Sequence, residues 1–151
     1  MEMVSTSGEG YPMSEKSRVL FVCIENSCRS QMAEAFARLY AQDLIQAFSA
    51  GSRPSGHVDP KAVAAMAELG YDLGSHISKS LNDIPKVKYN YVVTMGCGEE
   101  CPFIPADFHE DWDLADPKLM PMEAFRQVRD QIGERVKELA ARIKDSSNVK
   151  K

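Results

Sequence analysis

The segment from Arg18 to Leu39 constrains this chain more than any other. An apolar, β-branched stretch, Val19-Leu20-Phe21-Val22, breaks into a short polar loop from Cys23 to Ser30 and continues as Gln31-Met32-Ala33-Glu34-Ala35-Phe36-Ala37-Arg38-Leu39. The first part predicts a buried parallel strand. The last predicts a helix starting at Cys28 or Arg29 and running to Tyr40, with Met32, Ala35, Phe36 and Leu39 on one apolar stripe. A strand that feeds through a polar loop into a helix N-terminus can turn consecutive N–H groups, and the positive end of the helix dipole, toward one point. Such a loop is built to cradle an oxyanion, and Cys23 and Arg29 stand at its two ends as Cys-x5-Arg.

The remaining pattern alternates strands and helices. A strand is predicted over Ile45 to Ser49, closed by Ala50-Gly51, followed by a loop from Ser52 to His57. Asp59-Pro60 starts a second helix, with Asp as N-cap and Pro at the first helical position, and Gly70 ends it after Leu69. Tyr71 to Ser80 is irregular, with a short helical turn expected at Ser80 to Ile84. Strands are expected at Tyr89 to Met95 and at Glu110 to Asp113. The last helix, Pro121 to Lys144, carries Phe125, Val128, Ile132, Val136, Leu139 and Ile143 at intervals of three and four. The pattern predicts a three-layer α/β domain: a four-stranded parallel sheet flanked by helices. Ligands of such sheets bind beyond the carboxyl ends of the strands. Cys23, Cys97 and Asp116, which follow strands one, three and four, should therefore converge.

With 151 residues the chain is expected to form one domain. Residues 1–17, rich in Ser, Glu and Gly, read as a disordered extension, 18–145 as the catalytic domain and 146–151 as a flexible tail. A net charge of −4 weighs against nucleic acid or an anionic membrane as partner. No apolar run approaches the roughly 20 residues of a membrane span, and residues 1–17 lack the apolar centre of a secretory signal. The expected location is the cytoplasm. There Cys23, Cys28, Cys97 and Cys101 read as reactive or ligating thiols rather than structural disulfides.

Each site residue type has a chemical reason. A free thiol titrates near about 8.5, and loop amides, a helix N-terminus and Arg29 all favour the thiolate of Cys23. Ser30 can donate its hydroxyl to the same sulfur. The planar fork of Arg29 suits a tetrahedral dianion. Asn26 can hold a left-handed backbone and bond across the loop, and Cys28 is either a packing residue or a second thiol near Cys23. Asp116, in an Asp-Pro turn, can protonate an oxygen leaving from the bound anion. On one helical turn Cys97 and Cys101 would share a face, close enough for a disulfide. Together with His109 they match no usual zinc spacing, so no metal site is expected. His57 and His76 read as loop residues without catalytic duty.

Cys23-Ile-Glu-Asn-Ser-Cys-Arg-Ser-Gln-Met-Ala-Glu34, with Phe48-Ser-Ala-Gly51, Tyr91-Val-Val-Thr-Met95, Asp116-Pro117 and the later cysteines, resembles the arsenate reductases built on the low-molecular-weight tyrosine phosphatase fold. The resemblance covers about Arg18 to Lys144 and implies a flavodoxin-like strand order. Related phosphatases usually carry Pro where this chain has Gln31 and Tyr where it has Lys118, which favours the reductase branch. The resemblance implies that arsenate, with phosphate or sulfate as competing anions, binds the loop Ile24, Glu25, Asn26, Ser27, Cys28 and Arg29. Cys23 attacks arsenic, Asp116 assists loss of hydroxide, and Cys97 and then Cys101 carry the disulfide onward to thioredoxin or another thiol reductant. A monomer without cofactor is expected. In thioredoxin-coupled relatives the second cysteine aligns with Gly96 and the later pair is seven apart rather than four, which leaves open the reductant and the order of Cys97 and Cys101. Some relatives bind potassium through residues matching Asn26, Glu34, Ser49 and a carboxylate. Lys79 replaces the carboxylate here, so potassium independence is expected. Two other readings remain: a phosphatase acting on phosphate monoesters through a cysteinyl-phosphate, and a non-enzymatic thiol sensor or metal-binding partner.

Overall fold

The computed structural model describes residues 16–96 and 102–149, with side chains through 146. The elements are β1 (Ser17–Cys23), α1 (Arg29–Tyr40), β2 (Ile45–Gly51), α2 (Pro60–Ala67), β3 (Tyr89–Thr94), β4 (Ala106–Asp111) and α3 (Met122–Val149), with one 3-10 turn at Leu73–Ser75. All strand pairings are parallel and the order is β2-β1-β3-β4, the expected flavodoxin-like arrangement. Cys23 pairs with Gly51, Val22 with Thr94 and Thr94 with Asp111, so all four strands end at one edge.

Alternation along β1 divides the core. Val19, Phe21 and Cys23 face a cluster holding Met32 and Phe36 of α1, Ala62, Ala65 and Met66 of α2, and Phe125, Ile132, Val136 and Leu139 of α3. Leu20 and Val22 face the other side, where Leu81, Ile84 and Ile104 cover the sheet. The helical layer thus lies on one face, and irregular chain supplies the third layer among the described residues. Helix α2 begins as predicted: Asp59 accepts from the Lys61 N–H at 2.8 Å and Pro60 occupies the first turn. Past its end, Gly70 takes φ +83°, and the Tyr71 N–H reaches back to the Met66 carbonyl at 3.1 Å.

Four expectations change. The fourth strand spans Ala106–Asp111 rather than Glu110 to Asp113. It lies at the sheet edge with most side chains exposed, so it has no apolar alternation to read. The residues expected as a tail from 146 continue α3 to Val149, since no Gly or Pro interrupts them. Leu39 is exposed instead of closing the α1 stripe, while Arg29 to Ala37 are buried all round. At Ser80 to Ile84 a single turn forms rather than a helix, the Asp83 N–H bonding to the Ser80 carbonyl at 2.9 Å, while Ser80 also bridges to Gly51 in parallel. Strand β1 starts at Ser17, inside the range Lys16 to Arg18 expected for the start of the fold. Of the disordered extension expected over residues 1–17, residues 1–15 lie outside the described residues.

Leu139 is fully buried between α3 and the sheet. Leu139→Ala is expected to cost about 2–5 kcal/mol, read as a lower urea midpoint with an unchanged slope.

Candidate active site

The loop between β1 and α1 is held by its carbonyls. Those of Cys23, Ile24 and Glu25 accept from the N–H groups of Ser52 (3.3 Å), Arg53 (2.8 Å) and Ser55 (3.1 Å). The carbonyl of Ser27 accepts from the Asp59 N–H at 3.0 Å, that of Cys28 from the Met32 N–H at 2.9 Å, and that of Asn26 from the Gln31 amide at 3.2 Å. With all six carbonyls engaged, the N–H group of each trans peptide is turned to the side away from its carbonyl's partner, as an anion cradle requires. Asn26 takes φ +51°, the left-handed conformation expected of it, and donates through Nδ2 to Ser30 Oγ at 2.8 Å. Ser30 Oγ in turn lies 2.8 Å from Cys23 Sγ.

Cys23, Ile24, Glu25, Ser27, Cys28, Arg29, Arg53 and Asp116 line one cleft of about 150 Å³. The convergence of Cys23 and Asp116, 93 positions apart, is therefore observed. Arg29 is buried; its Nη1 donates to the Leu114 carbonyl at 2.9 Å, and its Nη2 lies 3.7 Å from Asp116 Oδ2. Gly96, at φ +72°, leaves no room for a side chain, because a Cβ there would collide with Arg29 Nη1. Lys118 Nζ donates to both Glu25 carboxylate oxygens, at 2.9 and 3.1 Å, and ties the Asp116 turn to the loop. Cys97 and Cys101, expected here, lie outside the described residues.

The two loop cysteines meet different surroundings. Cys23 faces a hydroxyl, whereas Cys28 Sγ lies 3.5 Å from Asp59 Oδ2. Burial first, and then the Asp59 carboxylate, push the Cys28 thiol far up, so Cys28 stays protonated.

Behind the loop, Ser49 Oγ donates to Glu34 Oε1 at 2.6 Å and Arg38 Nη2 to Glu34 Oε2 at 2.7 Å. Lys79 Nζ reaches Ser49 Oγ at 3.4 Å and lies 3.8 Å from Glu34 Oε1, beside two of the residues matched above to potassium ligands of relatives. Burial lowers the Lys79 pKa, with Glu34 opposing that shift. No group of three or more potential metal ligands occurs among the described residues. His109, on exposed β4, bonds through its ring to the Ile104 carbonyl.

Sequence reasoning missed three features. Arg53 lines the cleft because its backbone is pinned to Ile24, which loop composition does not reveal. Gln31 is fully buried and bonds back to the loop, whereas in the sequence it stood out only as the residue replacing the phosphatases' Pro. His76 lies in a loop as expected, but it is bonded to Gln31 and Tyr71 rather than idle.

Cys23, Arg29 and Asp116 thus share one cleft at the carboxyl edge of a parallel α/β sheet, the arrangement expected of an oxyanion site. The family model described as low molecular weight phosphotyrosine protein phosphatase matches residues 18–149, and the chain belongs to that family. It is 40% identical over 129 residues to a glutaredoxin arsenate reductase of Synechocystis sp., covering 83% of this chain and 98% of that protein. It is 36% identical over 133 residues to arsenate reductase 1 of Staphylococcus epidermidis, covering 85% and 99%. Among solved structures it is similar to an arsenate reductase in the phosphate binding state, with a TM-score of 0.76 and 39% identity over 84% of this chain and 98% of that one. A thioredoxin-dependent arsenate reductase of Corynebacterium glutamicum is similar at 30% identity and a TM-score of 0.71, covering 89% of this chain and 65% of that one.

Gly96→Ala should displace Arg29 and sharply weaken oxyanion binding while the fold melts near the wild-type temperature, as phosphate titration and calorimetry would show. Asp59→Asn keeps a side-chain oxygen for the α2 cap but removes the charge beside Cys28. Cys28 should then ionise more easily and label faster with a small thiol reagent at pH 8, as peptide mapping would show.

Proposed function

We propose that this protein reduces arsenate to arsenite, with Cys23 as the nucleophile. The observation that carries the reading is the Cys23 sulfur at the mouth of an amide-lined loop, 2.8 Å from Ser30 Oγ, in one cleft with Arg29 and Asp116. The names of the relatives, at 36–40% identity over most of the chain, support arsenate as the anion.

Arsenate sits against the N–H groups of Ile24, Glu25, Asn26, Ser27, Cys28 and Arg29, with the Arg29 fork on its oxygens. The Cys23 thiolate attacks arsenic and one oxygen departs. Asp116 gives that oxygen a proton, so hydroxide leaves as water. A second thiolate then attacks Cys23 Sγ. The sulfur–arsenic bond breaks, its electron pair stays on arsenic, and arsenic(V) becomes arsenic(III) as one disulfide forms. Cys97 is assigned the second attack and Cys101 the resolving one. An external dithiol, thioredoxin or a glutaredoxin-type system, returns the two electrons.

Arg29 offers a fixed planar fork of donors, so it orients the anion as well as binding it. Lys118 and Glu25 hold the Asp116 turn over the loop. The Lys79 ammonium supplies the positive charge behind the loop, and we assign the reaction no cofactor and no potassium requirement. The enzyme is assigned to the cytoplasm as a monomer. No helix among the described residues is long and apolar enough to cross a membrane.

The test is a single turnover with arsenate followed by mass spectrometry. Wild type should release one arsenite per chain and gain one disulfide; Cys23→Ser should release none. Asp116→Asn should slow the first step by about 10²-fold or more. Rapid aryl-phosphate hydrolysis without arsenate-dependent loss of thiols would instead make the protein a phosphatase.

A further inference from the structure

An unbroken set of hydrogen bonds runs from the protein surface to the Cys23 sulfur. Tyr71 Oη is 2.6 Å from His76 Nε2, and His76 Nδ1 is 2.9 Å from Gln31 Oε1. Gln31 Nε2 is 2.8 Å from Asn26 Oδ1, Asn26 Nδ2 is 2.8 Å from Ser30 Oγ, and Ser30 Oγ is 2.8 Å from Cys23 Sγ.

The backbone fixes the direction of three of the five bonds, and the ring tautomer and the thiolate fix the other two. Gln31 Nε2 has three oxygens about it, the Asn26 carbonyl at 3.2 Å, Asn26 Oδ1 at 2.8 Å and the Ile77 carbonyl at 2.9 Å. Only the NH₂ end of the amide fits there, so the oxygen end faces His76. An amide oxygen has no proton to give, so His76 Nδ1 donates. In the neutral ring Nε2 is then an acceptor and takes the Tyr71 hydroxyl proton. Asn26 is oriented in the same way: its Oδ1 accepts the Lys79 N–H at 2.9 Å, which leaves Nδ2 for Ser30. Ser30 Oγ accepts from that NH₂, and because a Cys23 thiolate has no proton to give, the Ser30 hydroxyl is the donor to sulfur.

All five bonds therefore donate toward Cys23. We propose that Tyr71, His76 and Gln31 are positioning residues that act through Asn26 and Ser30 to hold a polarised donor on the Cys23 thiolate. The inference rests on Cys23 being the nucleophile. A chain of bonds donating in one direction strengthens each member, and a donor to a thiolate stabilises the charged form over the neutral one. The neutral ring that the relay needs is favoured by its surroundings, since burial lowers the His76 pKa and Arg38 and Lys79 lower it further, against Glu34 and Asp72. Gln31 is the joint: it is fully buried on α1 and links the loop at 71–77 to the loop at 23–30.

The test is alkylation of Cys23 by iodoacetamide, with the label assigned to Cys23 by fragmentation of the peptide that also carries Cys28. His76→Ala should lower the rate at pH 7 by about two- to fivefold, while at pH 10 the rates should coincide. Tyr71→Phe, which removes only the outermost donor, should shift the rate in the same direction by less. His76→Asn, whose side-chain NH₂ can stand in for Nδ1–H, should recover most of the loss. Thermal melts check that each variant is folded. A purely structural role for His76 would lower the rate equally at both pH values or leave both unchanged, and either result overturns the relay. Wild-type Cys23 that reacts at pH 7 no faster than an ordinary peptide thiol would overturn the nucleophile assignment itself. Fast wild-type reaction matched by both His76→Ala and Tyr71→Phe would overturn the relay alone.

Discussion

The structure depends on a constraint at the loop between β1 and α1: its carbonyls must be satisfied from outside. A peptide plane that turns its N–H toward a ligand turns its C=O away, and a buried C=O needs a donor. Six carbonyls in succession, from Cys23 to Cys28, each receive at least one, and that of Glu25 also accepts from Ser78 Oγ. The donors come from the chain after β2 (Ser52, Arg53, Ser55), the start of α2 (Asp59) and the first turns of α1 (Gln31, Met32). The loop is shaped by segments far apart in sequence, each holding one peptide in the orientation that an anion requires.

The same constraint accounts for the polar character of α1. A helix packed on a sheet normally buries an apolar stripe, yet Arg29, Ser30, Gln31 and Glu34 are all buried alongside Met32 and Phe36. Each polar member has partners: Leu114 and Asp116 for Arg29, Cys23 and Asn26 for Ser30, Asn26, Ile77 and His76 for Gln31, and Ser49 and Arg38 for Glu34. Among the described residues only Ser52 Oγ is buried without a partner. A satisfied buried network of this kind is rigid, and losing one member strands the others. Leu39 can be exposed because α1 is held by its first turns, where apolar packing and hydrogen bonding coincide.

Two cysteines five residues apart are sorted by the same surroundings. Cys23, at the end of β1, meets a hydroxyl whose own acceptor capacity is engaged by Asn26. Cys28, at the start of α1, meets the carboxylate that also caps α2, which holds its thiol neutral. One carboxylate thereby serves helix initiation and keeps a second thiolate out of the cleft.

The amino-acid sequence by itself determined the alternation of strands and helices, the parallel sheet, the oxyanion loop, the left-handed Asn26, and the meeting of Cys23 with Asp116. Each of these follows from a local signal: an apolar run, a helix period, a capping residue or a turn residue at the end of a strand. Strand β4 was misplaced because an exposed edge strand carries no apolar alternation. Arg53, Gln31 and His76 were not legible, because nothing within a few residues of them marks them out. Only the tertiary structure decided that Arg53 enters the cleft, that Gln31 turns inward from α1, and that His76 and Tyr71 connect through it to Cys23. Hydrogen bonds across 45 positions, such as that from His76 to Gln31, exist only once the sheet and α1 have brought two loops together. Their geometry is set by packing rather than by composition or period.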